Sequence, residues 1–300
     1  MERLSRALRR ASEDPTAPPR ASEAPAGDLA ASDCPLCDGR GWRVETGRGA
    51  GVARPCECRP RLRARRHLSA TGIPPRYTNC TLDGFHTTGE PAVRRALLEA
   101  KTVAQRYIDH VFDAETGRLR SGGLLFIGPP GTGKTHLAAA VLSEVVRRYG
   151  VRGRFIDFTS LLHEIQSTFD GGSSATKMSI VAPVIDADIL VFDELGAQKP
   201  TEWVMDTLYL VLNSRYTAGR PTIFTTNYRL EPAAAAHREV RADPSGRLDG
   251  GRPMVEREAL LSRRLSAPLV SRLYEMAQPL VLAGTDYRRN VMTHRHRIGG

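Results

Sequence analysis

The sequence predicts an α/β fold, a parallel sheet with helices on both faces, preceded by a small cysteine-rich module. Three observations carry that expectation. Short apolar runs alternate with stretches of helical periodicity over most of the chain beyond residue 90, the pattern of strands joined by crossover helices. The run Leu124–Ile127 stops at GPPGTGKT (128–135), which fits G-x-x-x-x-G-K-[ST], and a helical pattern follows at once. That is the context a phosphate-binding loop requires. Four of the five cysteines cluster as C-x-x-C (Cys34, Cys37) and C-x-C (Cys56, Cys58).

The 300 residues suit one core of about 200 residues with appendages. Residues 1–32 read as a disordered basic arm and linker. Their first part is Arg-rich, and residues 11–32 are mostly Pro, Ala, Ser and Glu, with too little apolar surface to offset the entropy of ordering. Glu2, Glu13, Asp14 and Glu23 argue against a transit peptide, and no apolar stretch supports a secretory signal. No apolar run approaches the roughly 18 residues of a membrane span, so a soluble, cytoplasmic chain with no membrane partner is expected. Lys and Arg number 43 against 33 Asp and Glu, a net charge of +10. That excess points to nucleic acid or another acidic partner, with a solvated basic surface as the alternative.

Residues 33–70 form the cysteine-rich module. Eighteen residues separate the two cysteine pairs, and four thiolates so arranged can close a tetrahedral Zn²⁺ site. Gly39 and Gly41 suit the turn beneath the metal, and Trp42 and Val44 are expected as a small apolar cap. A module of fewer than about 40 residues needs such a metal to fold. Free thiols or a redox pair are the alternatives. Cys80 reads as a small buried residue. The following RPRLRARRH carries Arg59, Arg61, Arg63, Arg65 and Arg66, either to grip phosphates of single-stranded DNA or an acidic partner, or simply as a solvated helix.

From Thr71 to residue 300 the chain reads as the globular core. RRALLEAKTVAQRYIDHVF (94–112) has helical spacing. In the glycine-rich loop, Gly128, Gly131 and Gly133 let the backbone turn tightly and approach an anion. Lys134 adds a point charge, and the Thr135 hydroxyl suits Mg²⁺. Strands follow at 153–158, 188–195, 221–227 and 279–284, with helices at 160–169, 201–216 and 268–276. Residues 231–266, rich in Ala, Arg, Gly and Pro, break this rhythm and read as a flexible insertion.

Hydrolysis at such a loop also needs a second magnesium contact, a base for water and cations for the developing charge. ILVFDEL puts Asp193 and Glu194 at the carboxyl end of an apolar strand, where open α/β sheets bind ligands. Asp193 suits Mg²⁺ and Glu194 suits the general base. Asn227 ends another strand and can orient the water, or simply cap the strand. Arg272 and Arg288 are candidates for two cations, one in the same subunit and one reaching a neighbour.

Taken together, GPPGTGKTHLAAA, ILVFDELG, TTN, LVSRL and DYR, with the entry segment GIPPRYTNCTLDGF (72–85), resemble the AAA+ ATPases of the DnaC/DnaI helicase-loader group. The transposon helper ATPase IstB belongs to the same group. The resemblance covers roughly residues 71–230 and 266–292 and implies a P-loop NTPase three-layer core with a reduced C-terminal lid. It implies ATP held by Gly128, Pro129, Pro130, Gly131, Thr132, Gly133, Lys134 and Thr135, with Mg²⁺ at Thr135 and Asp193. It assigns Glu194 and Asn227 to catalysis, Arg272 to an arginine finger acting through self-association, and Arg288 to the second sensor. The 231–266 stretch departs from the group and leaves Arg263 and Arg264 as rivals. The implied function is ATP-dependent loading of the replicative DNA helicase, with single-stranded DNA met near 160–178 and Lys177 as a candidate there. Some DnaI-like loaders have a similar cysteine-rich region that contacts the helicase. An IstB-like transposition helper is one alternative. The other is a zinc-dependent nucleic-acid-binding adaptor whose core senses nucleotide without hydrolysing it.

Overall fold

The computed structural model describes residues 34–45, 51–168, 176–198, 201–230 and 260–287. Two compact units divide the chain, Met1–Arg63 and Ala64–Gly300. In the first, β1 (Trp42–Glu45) pairs antiparallel with β2 (Val52–Pro55), a hairpin the sequence did not announce. Helix α1 (Arg59–Ser69) begins just after the last cysteine of the cluster, and Arg59, Arg61, Arg63, Arg65 and Arg66 are all exposed.

The second unit is built on five parallel strands: β5 (Gly123–Ile127), β6 (Gly153–Asp157), β7 (Ile189–Asp193), β8 (Thr222–Thr226) and β9 (Ala277–Val281). Their order is β6-β7-β8-β5-β9. Strands β5, β7 and β8 are buried at every residue, as expected where helices cover both faces. Side chains alternate between the faces. Leu124, Phe126, Val191 and Ile223 meet helices α2 (Pro91–His110) and α3 (Lys134–Tyr149). Leu125, Leu190, Phe192 and Phe224 meet α4 (Phe158–Ser167), α5 (Lys177–Asp186), α6 (Glu202–Thr217) and α7 (Ala267–Met276). A short hairpin, β3 (Phe112–Asp113) with β4 (Arg118–Leu119), leads from α2 into the sheet.

Three expectations change. Helix α5 occupies a stretch where the sequence predicts no helix. Pro183 lies inside it, and its N-terminus rests on a local device: Thr176 accepts from the Ser179 N–H, and Ser179 accepts from the Thr176 N–H, a capping box with Ser in place of the usual Glu or Gln. The insertion also ends sooner than 266. Leu260 bridges Arg229, the Leu261 N–H donates to the Arg229 carbonyl at 2.7 Å, and Leu261 and Leu265 are buried in the core. Burying two leucines outweighs the local Arg-rich composition. Residues 231–259 lie outside the described residues, as do residues 1–33. Finally, Val44 is 58% exposed and caps nothing, while Trp42 is covered by the Arg59 guanidinium, 4.1 Å from the ring centre.

A buried cation also escaped the sequence reading. Arg215 on α6 is fully buried, and among the described residues no carboxylate is in its hydrogen-bond set. Its guanidinium donates to the carbonyls of Val184, Ile185, Ala187 and Pro221 and to the Thr222 hydroxyl. It thereby ties the end of α5 to the start of β8. Burial, aided by the nearby Arg220 charge, pulls its pKa down to about 9. Among the described residues, no helix is long and apolar enough to cross a membrane.

Candidate functional site

The carboxyl ends of β5, β7 and β8 converge on a cavity of about 590 Å³. The glycine-rich loop forms its floor. Two glycines there are required by contact as well as by conformation. Gly131 has φ +80°, and a Cβ on it would fall 1.9 Å from Asp286 Oδ1; Gly133 has φ +91°, and a Cβ would fall 2.6 Å from the Phe85 ring. Both conformations favour glycine. The Thr132 hydroxyl donates to the Pro129 carbonyl at 2.9 Å and closes the loop. Lys134, the first residue of α3, is buried, and its Nζ donates to the Gly128 and Pro129 carbonyls at 2.8 Å each. Pro130 lines the cavity. The first N–H groups of α3 face an anion-ready space.

The segment beyond β9 lies along the loop. The Leu282 N–H donates to the Ile127 carbonyl at 2.7 Å, and the Tyr287 N–H to the Gly131 carbonyl at 3.1 Å. Across the cavity, the Tyr287 ring stacks on His86 with centres 5.5 Å apart. The entry segment supplies Arg76, Tyr77 and Phe85 to the same wall.

Asp193 is the last residue of β7, and its side chain is buried. Its Oδ1 accepts from the Thr135 hydroxyl at 3.1 Å and from the Thr225 hydroxyl in a short bond. Burial pushes its pKa up to about 6. The two hydroxyls oppose that rise, and the charges of Glu194 and Asp157 add to it. A buried carboxylate beside the Thr135 hydroxyl is a donor set that fits Mg²⁺.

The chain then turns sharply, so β7 ends two residues before the predicted boundary. Glu194 has φ +57°, a left-handed conformation uncommon outside glycine and concentrated at functional sites. Thr225 enforces the turn: its hydroxyl accepts the Glu194 N–H at 3.0 Å, and its carbonyl accepts the Leu195 N–H at 2.8 Å. The Glu194 side chain is left exposed on the cavity, with Asn227 on the same wall. The Thr226 hydroxyl donates to the Leu195 carbonyl at 2.8 Å and accepts from the Tyr228 N–H at 3.2 Å, holding the base of the Asn227 loop. Sequence reasoning missed Thr225 and Thr226. The available signal was two hydroxyl residues at a buried strand end directly before Asn227.

The arginines separate. Arg272 on α7 does not line the cavity; its Nη2 donates to the Tyr209 hydroxyl at 3.3 Å. Arg288 lies outside the described residues. Arg264 stacks 4.8 Å from the centre of the Tyr228 ring, and Arg263 is exposed. Lys177 sits in the first turn of α5 rather than on a loop, and its Nζ donates to the Thr207 hydroxyl at 3.2 Å.

In the first unit, the Sγ atoms of Cys34, Cys37, Cys56 and Cys58 all lie within 4.8 Å of one another. Cys34 and Cys56 approach to 3.7 Å, and Cys37 and Cys58 to 3.3 Å. A ZnS₄ tetrahedron with 2.3 Å bonds has edges of about 3.8 Å, so the donor set fits zinc. The turn beneath it is tight: Asp38, Gly39 and Gly41 all have positive φ. The Cys37 and Asp38 N–H groups donate to the Cys34 carbonyl, and the Gly41 N–H to Cys37 Sγ at 3.3 Å. Burial resists ionisation of Cys37, but hydrogen bonds from Cys58 and the Gly41 N–H outweigh it and bring its pKa to about 6. Burial and the proton shared with Cys37 push Cys58 to about 12.

Comparison with known proteins agrees with this architecture. A family model described as IstB-like ATP binding protein matches residues 103–238. The replicative helicase loader DnaC of Escherichia coli (strain K12) is 28% identical over 190 residues, covering 63% of this chain and 72% of that protein. The phage-like element PBSX protein XkdC of Bacillus subtilis (strain 168) is 26% identical over 209 residues, covering 68% and 75%. A crystal structure of DnaI superposes with a TM-score of 0.51 at 18% identity, covering 74% of this chain and 98% of that one, a likeness of fold. A crystal structure of the DnaC helicase loader superposes with a TM-score of 0.52 at 30% identity, covering 70% of this chain and 100% of that one. With the phosphate-binding loop, the Asp193–Glu194 turn and this identity over a whole solved relative, the chain belongs to the DnaC/DnaI-like group of IstB-family AAA+ ATPases.

Proposed function

We propose that the protein is an ATP-dependent loader of a replicative DNA helicase, and that its cavity binds and hydrolyses ATP. One observation carries the chemical half. The Thr135–Asp193–Thr225 hydrogen-bond cluster sits beside Glu194 on the wall of the cavity whose floor is the glycine-rich loop. The loader half is supported by similarity to DnaC along that protein's solved length.

When bound, ATP supplies the phosphoryl group to be cleaved and Mg²⁺ the countercharge. The rest falls to the chain's own residues. Lys134 exchanges two neutral carbonyls for phosphate oxygens, which are stronger acceptors for an ammonium group. The N–H groups of residues 131–135 face the same oxygens. The Thr135 hydroxyl and the Asp193 carboxylate hold the metal. Glu194, set outward by its left-handed turn, takes the proton from the attacking water, and Asn227 orients that water. Arg288 steadies the charge in the same subunit, while Arg272 does so for the nucleotide of a second copy. The cysteine module (33–70) holds Zn²⁺ and contacts the helicase, and the exposed arginines of α1 contact single-stranded DNA. Residues 1–32 serve as a basic arm and linker, and the core (71–300) serves as the ATPase. All of this takes place in the cytoplasm.

The test is co-elution of the full chain with a replicative helicase on a sizing column, with and without ATP, using wild-type and Glu194→Gln protein. A complex with the helicase, and ATP binding without turnover in Glu194→Gln, is the expected result. Normal turnover in that variant removes Glu194 from its role. The match to an IstB-like family model favours one second reading, a transposition helper. Tight duplex-DNA binding with no helicase complex in either nucleotide state selects it.

A further inference from the structure

Arg272 is gripped by two tyrosines of the neighbouring helix. Tyr209 and Tyr216 are seven residues apart on α6 and so share a face. Both are unusually open for aromatic residues, 44% and 41% exposed. The Arg272 guanidinium carbon lies 4.8 Å from the Tyr209 ring centre and 5.9 Å from that of Tyr216, within cation–π range. Its Nη2 donates to the Tyr209 hydroxyl at 3.3 Å. The second ring is itself fixed, because the Tyr216 hydroxyl donates to Glu275 Oε2 at 2.6 Å. Glu275 stands one turn beyond Arg272 on α7.

The packing of α6 on α7 does not need this surface cluster. It rests on Leu208, Val211, Leu212, Leu269 and Leu273, all buried beneath it. The cluster also leaves a cost. Arg272 Nη1 is shut off from water with no hydrogen-bond partner among the described residues. A free arginine side chain carries about 2 kcal/mol of rotamer entropy. Holding it in one arrangement before association removes much of that loss from the assembled state.

We infer that Tyr209 and Tyr216 are positioning residues, which pre-organise Arg272 to meet the nucleotide phosphates held by a second copy of this chain. The inference rests on the proposed role of Arg272 across an interface.

The test mixes two inactive proteins. Lys134→Ala cannot hold nucleotide but still offers Arg272; Arg272→Ala keeps its own cavity but lacks the cation. ATP turnover by the mixture reports the contact between copies. Tyr209→Ala with Tyr216→Ala, added to the Lys134→Ala donor, is expected to cut that turnover at least fivefold. The same two changes added to the Arg272→Ala recipient are expected to leave it within twofold. Tyr209→Phe in the donor keeps the ring and restores at least half the rate. Equal losses in donor and recipient mean that the tyrosines serve folding or association, and overturn the inference. An undiminished rate with the altered donor overturns it as well. If the unaltered mixture fails to turn over although light scattering shows association, Arg272 does not act between copies, and both readings fall together.

Discussion

Replacing Asp193 with asparagine should stabilise the protein while disabling its site. Asp193 ends β7 with its carboxyl buried, accepting from Thr135 and Thr225, and its pKa is pushed from 3.8 to about 6. A carboxyl whose folded pKa is raised carries stability below its unfolded pKa and loses it as pH rises through the folded value. The window here is therefore about pH 4 to 6, and above it the full cost of the buried charge is present. Two pKa units correspond to about 3 kcal/mol. Asparagine keeps the shape and one oxygen for both hydroxyls but carries no charge. We therefore expect Asp193→Asn to stabilise the protein by about 1–3 kcal/mol at pH 7.5, free of metal and nucleotide. For a domain of this size that raises Tm by roughly 3–10 °C. The assay is thermal unfolding by circular dichroism from pH 4.5 to pH 8. The gap between variant and wild type should be small at pH 4.5, open through pH 6 and stay level above pH 7. With Mg²⁺ and ATP the order should narrow or invert, because only the wild type gains by ligand linkage. A variant less stable than wild type throughout, or a gap independent of pH, would refute the reasoning.

Three further outcomes follow from the packing. Gly131→Ala must place a Cβ against Asp286 on a left-handed backbone, so ATP affinity measured by calorimetry should fall at least tenfold, with about 1–3 kcal/mol of local strain; unchanged affinity would show that the Asp286–Tyr287 segment yields freely. Arg215→Met removes the donors to four carbonyls and Thr222 and should destabilise the protein by about 3–5 kcal/mol in urea unfolding; a loss below about 1 kcal/mol would mean that water substitutes for the guanidinium. Cys56→Ser should reduce bound zinc, measured by atomic absorption on the full chain, from about one per molecule to a small fraction; equal zinc in variant and wild type would remove Cys56 from the donor set.

The strands of the sheet were legible because they are buried on both faces, so each appears as a short apolar run between helices. The glycine-rich loop was legible because only glycine serves at Gly131 and Gly133, where phenyl and carboxyl groups press on the backbone. Helix α5 was not legible: Pro183 interrupts its pattern, and the Thr176–Ser179 cap does not use the familiar Glu or Gln. The return of the chain at Leu260 was hidden for a similar reason. Arg-rich local composition conceals two leucines that find their pocket only once β8 and α7 are in place.

What the chain determines by itself is the order of its elements, its phosphate-binding loop, the acidic pair after β7 and the spacing of a four-thiol cluster. These depend on neighbours in sequence, through backbone sterics and local hydrogen bonds. Tertiary structure alone decided that Thr225 of β8 would bend Glu194 outward and share Asp193 with Thr135. It also decided that Arg215 would serve carbonyls rather than an acid, and that Arg272 would rest on Tyr209 and Tyr216. Each of these contacts joins residues from different strands or helices, and so exists only after the sheet has been assembled.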